Sequence, residues 1–136
     1  MCGIGGEFRY DGTAPDPDAV RRMLPCLESR GPDGEGLWAE GPAVLGHRRL
    51  SIIDLSDAGA QPFVDDELGL AMVFNGCVYN YRQLRAELSD LGYTFRSTSD
   101  TEVIIKAYHR WGVRCVERFY GMFAFAILDR ASGTLT

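Results

Sequence analysis

Residues 68–80 read LGLAMVFNGCVYN. From Leu68 to Phe74 only Gly69 interrupts the apolar run, and nothing alternates with polar residues. That pattern predicts a strand buried on both faces, not one lying over a single core. The run closes on Asn75-Gly76, a dipeptide with two readings. It is a frequent hairpin turn. It is also a carboxamide donor beside a backbone N–H that a substrate can approach closely, and acyl transfer needs such donors for a developing oxyanion.

Outward from this strand, the pattern is strands interspersed with helices. "NYRQLRAELSDLG" predicts a helix capped by Asn80, with Gln83 three residues later and Gly92 past its end. "SDTEVIIKAYHRWG" predicts a second, with a Ser99-x-x-Glu102 capping box and Gly112 as its stop. "MFAFAILD" is another apolar strand, and "RASGTLT" a hairpin turn whose return strand has barely begun. Upstream, "IGGEFRY" reads as a first strand. Asp16 and Pro17 then open a helix that Pro25 should kink or end. "RGPDGEG" is a turn cluster. "GLWAE" and "AVLGHRRLSII" form a strand pair around Gly41-Pro42, and "LSDAGAQP" is a loop. The expectation is an α+β domain: packed sheets with helices on their outer faces. A chain that stops inside a hairpin leaves a strand edge open. The expected domain is therefore incomplete at its C-terminus, with an edge that a second copy could pair with to give a homodimer.

The 136 residues suffice for one domain with a real core. Fourteen basic and nineteen acidic residues leave a net charge of −5, which argues against nucleic acid or an anionic membrane surface as the partner. No apolar run approaches the roughly 18 residues of a membrane span. Glu7, Asp11, Asp16 and Asp18 exclude a basic-then-apolar signal peptide. A cytoplasmic location is expected. The cysteines, Cys2, Cys26, Cys77 and Cys115, form no C-x-x-C pair, so neither a zinc site nor a disulfide framework is expected. Four free thiols, mostly buried, are the default.

Cys2 tests that default. It is either a buried hydrophobe at the start of a strand or, once Met1 is removed, a residue carrying both a thiol and a free α-amine. Ordinary values of about 8.5 for a thiol and about 7.7–8.0 for an α-amine make proton transfer between them uphill by only about 1 kcal/mol. Such a residue holds its own general base. An amino-acid zwitterion would then need one cation and one anion. Arg48 and Arg49 are adjacent on a predicted strand and point to opposite faces, so one can face a pocket. Asp100 opens a helix, where it could meet an ammonium or simply complement the helix dipole. His47, Ser51 and Asp54 make no convincing triad. His47 is expected to be structural, His109 exposed, and Trp38 and Trp111 packing residues.

Seven stretches, in this order, resemble the glutaminase (class II glutamine amidotransferase) domain of the asparagine synthetase-type family: "MCGI", "RGPDGEG", "GHRRLSIIDLS", "GAQP", "FNGCVYNYRQLRAEL", "SDTEVI" and "GMFAFAILD". The resemblance spans essentially the whole chain. It implies the N-terminal-nucleophile hydrolase fold, a four-layer αββα sandwich, and removal of Met1. It implies Cys2 as nucleophile and base, Asn75 and Gly76 as the oxyanion hole, and Arg49 and Asp100 as partners of the glutamine α-carboxylate and α-ammonium. It further implies that ammonia passes to a synthetase domain, absent here, which would need ATP and Mg; no cofactor or metal is implied in this domain.

One position departs from the family pattern. The family usually reads N-G-E-[IV]-Y-N, and Cys77 replaces the carboxylate that helps hold the ammonium. Three readings follow: weaker glutamine binding through Asp100 and Arg49, an ammonia-dependent member, or a subgroup with another product. The N-G-C-[IV]-Y-N variant resembles the amidotransferase that makes N-acetylglutaminylglutamine amide, a bacterial osmolyte. Two rival classes stand beside the enzyme: a glutaminase-fold module that only binds glutamine or a synthetase partner, and a thiol redox protein, disfavoured because no two cysteines lie near each other in the sequence.

Overall fold

The computed structural model describes residues 1–136. Two antiparallel sheets stack face to face. One holds β1 (Gly3–Phe8), β3 (Ala43–Arg49) and β2 (Gly34–Glu40) in that order. The other holds β4 (Phe63–Asp65), β5 (Leu70–Val78), β6 (Gly121–Asp129) and β7 (Thr134–Leu135). Helix α1 (Pro17–Met23) covers the first sheet, and α3 (Asp100–Trp111) packs on β5 of the second with α2 (Tyr81–Asp90) beside it. The order helix, sheet, sheet, helix is the expected αββα sandwich.

β5 is buried on both faces for the reason its sequence suggests. Leu70, Met72, Phe74 and Val78 point toward the helices and join Leu84, Leu88, Val103, Ile104 and Ile105 in the larger core. Ala71 and Val73 point the other way, against Leu45 between the sheets. At about 25 cal/mol per Å² of apolar area removed from water, both faces contribute to holding this strand. No helix is long and apolar enough to cross a membrane.

Local predictions meet specific outcomes. The Asp16 side chain accepts from the Asp18 amide, Pro17 starts α1, and the helix tightens into a 3₁₀ turn at Leu24, just before Pro25. Ser99 caps α3 through the Glu102 amide, and Gly112 ends it at φ 60°. Two readings need correction. Asn75-Gly76 is not a turn: β5 runs through it to Val78, in register with β6. Asn80 sits at the N-cap of α2 but does not cap it with its side chain, which instead donates to the Arg118 carbonyl and accepts from the Tyr120 amide. Of the four thiols only Cys115 is fully buried; Cys26 is exposed, and Cys2 and Cys77 are half-buried.

Candidate active site

A cavity of about 150 Å³ opens where the two sheets meet α3, and Cys2, Arg49, Gly76, Cys77 and Asp100 all line it. Drug-sized pockets span about 300–1,000 Å³, so this one suits a small metabolite. Asn75 is next to it in the chain but does not line it; its Oδ1 is buried without a hydrogen-bond partner. Met1 and the exposed Ile52 and Met122 form part of the wall.

Each wall residue is held by the fold. Cys2 lies just ahead of β1, and its Sγ accepts from the Leu50 amide at 3.3 Å. Arg30 Nε donates to the Cys2 carbonyl at 3.2 Å. Arg48 and Arg49 diverge as neighbours on a strand must. Arg48 pairs with Glu35 at 2.8 Å and Glu28 at 3.5 Å, away from the cavity. Arg49 turns inward, and its Nη1 donates to the Ser56 carbonyl at 3.0 Å and its Nη2 to the Asp54 carbonyl. Those partners are neutral, so its charge has no carboxylate within the protein. Gly59 permits this approach, because a Cβ there would lie 2.6 Å from Arg49 Nη2.

The 50–56 loop that grips Arg49 is itself anchored. The Asp54 carboxylate accepts from Ser56 N at 2.9 Å and Ser56 Oγ at 2.6 Å. It also accepts from Thr98 N at 2.7 Å and Thr98 Oγ1 at 3.0 Å. These bonds, led by the Ser56 hydroxyl, hold its carboxyl well below the usual range despite burial. Sequence reading missed this role, because Thr98 is 44 residues away and nothing local signals the contact.

Asp100 is 4% exposed and has no cationic partner. Its Oδ2 accepts from the Val78 amide at 3.0 Å. Burial pushes the Asp100 carboxyl up, and that amide offsets the shift in part. Burial first, and Asp100 second, push the neighbouring Cys77 thiol up, so Cys77 is a neutral S–H. A guanidinium and a buried carboxylate, neither of them ion-paired, therefore line one cavity as complementary charges.

The backbone of β5 adds a donor. In an antiparallel strand, alternate residues turn their N–H and C=O to the same edge. Phe74 and Val78 turn away from β6, where side chains accept both amides. Gly76 lies between them on that edge, with no strand opposite. Its φ is 147°, and a Cβ there would overlap the Met122 carbonyl, so only glycine fits. No group of three His, Cys, Asp or Glu is placed to hold a metal. His47 is buried, as expected of a structural residue; His109 is exposed, paired with the Tyr93 hydroxyl at 2.6 Å.

A thiol at the second residue, an inward arginine and an unpaired strand amide, set in an αββα sandwich, define an N-terminal-nucleophile hydrolase fold. Solved structures share it. One is the glutamine phosphoribosylpyrophosphate amidotransferase of B. subtilis, complexed with ADP and GMP: TM-score 0.77, 23% identity, 96% of this chain and 35% of that one. The chain belongs to the glutamine amidotransferase domain family, whose pattern it matches over residues 1–136. It is 40% identical over 135 residues to asparagine synthetase B (glutamine-hydrolysing) of Escherichia coli, covering 95% of this chain and 23% of that protein. It is 37% identical over 139 residues to asparagine synthetase 3 (glutamine-hydrolysing) of Bacillus subtilis, covering 99% and 22%. The chain thus spans less than a quarter of the length of these two relatives.

Proposed function

We propose that this domain hydrolyses the side-chain amide of glutamine and that the ammonia feeds an ATP-dependent, amide-forming synthetase domain. One observation carries the reading: a single small cavity gathers a thiol, an unpaired guanidinium, a buried unpaired carboxylate and an unpaired strand amide. Arg49 binds the glutamine α-carboxylate and Asp100 its α-ammonium, which aims the γ-amide at Cys2. Removal of Met1 frees the Cys2 α-amine to take the thiol proton. The sulfur attacks the amide carbon, and Gly76 N–H and the Asn75 carboxamide stabilise the oxyanion. Collapse expels the amide nitrogen as ammonia, its added proton coming from the Cys2 α-amine that had taken it from the thiol. Water then adds to the γ-glutamyl thioester and releases glutamate and the thiol.

None of these steps calls for a metal or cofactor in this domain; ATP and Mg would serve the synthetase step. The Cys77 variant of the Asn75–Asn80 stretch supports N-acetylglutaminylglutamine as the final amide acceptor. The test is incubation of the full-length protein with a diazo-ketone analogue of glutamine, followed by peptide mapping. Adduct on Cys2 alone is expected. No adduct, or label spread over Cys26, Cys77 and Cys115, overturns the mechanism.

A further inference from the structure

The edge of β5 that faces the cavity is held in an unusual way. β4 pairs with β5 only as far as Phe63 opposite Met72. Continued in that register, Gln61 would oppose Phe74 and Gly59 would oppose Gly76. The main chain leaves the ladder instead, and the Gln61 carbonyl packs against Gly36 of the other sheet. Side chains replace the missing ladder at Phe74. Gln61 Oε1 accepts from the Phe74 amide at 2.6 Å, and His47 Nε2 donates to the Phe74 carbonyl at 3.1 Å. Nothing replaces it at Gly76.

From this arrangement we propose that Gln61 and His47 are positioning residues for the oxyanion donors, fixing the backbone on either side of Phe74 so that the Gly76 N–H stays on the cavity edge and Asn75 stays beside it. The proposal rests on the glutamine-hydrolysing reading above. Gln61 is 9% exposed, lines the cavity and is itself held by Thr101 Oγ1 at 3.4 Å, next to Asp100. His47 is fully buried, and its Nδ1 has no partner. An orphaned buried nitrogen costs about 1–3 kcal/mol, which an apolar residue in that place would not incur. The one bond the His47 side chain makes is to Phe74, so that bond accounts for a histidine standing there. Its role is separate from that of Arg49, two residues on along β3, which binds substrate.

The test uses full-length protein and four variants. Gln61→Met and His47→Leu remove the bonds to Phe74. Gln61→Glu keeps an acceptor, and His47→Gln keeps a donor. Misplacement of a reacting group by about 1 Å costs about 10²-fold, so a loosened strand should lower kcat about tenfold. We expect that loss in Gln61→Met and His47→Leu with KM for glutamine changed less than twofold, and most of it regained in the two conservative variants. Affinity for glutamate γ-semialdehyde should fall with kcat. Its adduct with Cys2, formed as the thiol proton passes to the Cys2 α-amine, sulfur bonds to the aldehyde carbon and the carbonyl π pair moves to oxygen, places an oxyanion on the same donors. Affinity for glutamate should not fall. Unchanged kcat overturns the proposal, as does a parallel loss of kcat, glutamate affinity and thermal stability. If the apolar variants do not fold, the conservative pair decides: near-wild-type kcat and semialdehyde affinity in both support it, and a loss in either overturns it. Diazo-ketone labelling separates the two readings. Labelled Cys2 with unaltered kcat in the variants overturns this proposal alone; unlabelled wild-type Cys2 overturns the glutaminase reading and this one with it.

Discussion

Cys77 is the residue at which the sequence departs from the pattern its resemblance implies, and its surroundings say what the departure does. The thiol is neutral, lines the cavity and lies close enough to Asp100 to feel its charge. A substrate ammonium therefore meets one carboxylate where a glutamate in place of Cys77 would add a second. A hydrogen bond to a charged group contributes about 1.5–3 kcal/mol, so Cys77→Glu should lower KM for glutamine about tenfold. An unchanged or higher KM would show that the Cys77 side chain does not reach the substrate. The sequence made this residue legible as a departure, but not its burial or its proximity to Asp100. Likewise Arg49 could be singled out from Arg48 only as one of two opposite faces. The Glu28 and Glu35 carboxylates that claim Arg48 lie on separate segments, and only the fold brings them together.

At the scale of elements, the segment between β3 and β4 does the most for the site. It shapes the cavity by leaving the ladder early, holds Arg49 by two carbonyls, and is tied to the turn before α3 by Asp54. The sequence predicts a strand through Ile53 and a loop only from Leu55. The strand in fact ends at Arg49, and the segment beyond it is ordered by the Asp54–Ser56 bonds together with contacts to Thr98 and Arg49 that no local signal announces. β5 illustrates the opposite case. Its apolar run announced burial on both faces correctly, yet Asn75-Gly76 looked like a turn. Pairing with β6 overrode that local preference, and the glycine's positive φ is accommodated inside the strand. Asp54→Ala should release the loop, let the Arg49 guanidinium wander, and raise KM for glutamine about tenfold with a smaller change in kcat. A kcat collapse at unaltered KM would place the loop in the chemistry rather than in binding.

Across the whole molecule, acid should act in two stages. Burial, with help from the Arg49 charge, depresses His47 from 6.5 to about 4, so the unfolded chain binds its proton more readily than the folded one. The stability tied to neutral His47 is complete above pH 6.5 and drains away between 6.5 and about 4, on the order of 3 kcal/mol. Asp54 and Glu102 are shifted below the carboxylate range, so their contribution goes next, as pH falls through that range. The raised Asp100 opposes this second stage. Thermal melts from pH 8 to 4 should show the midpoint falling from about pH 6.5 downward, and His47→Gln should flatten that first fall. A midpoint independent of pH between 6.5 and 5 would contradict the buried neutral imidazole.

The glycine amide that no strand claims has a consequence for solvent exchange. β5 is clamped between two cores, and its neighbours' amides are engaged: Phe74 by Gln61, Val78 by Asp100, and Asn75 and Cys77 by β6. In deuterated water those four protons should persist for as long as the sandwich stays closed. The proton on Gly76 should vanish early, a single fast signal inside a slow strand, and a glutamate molecule in the cavity should slow it without touching the rest.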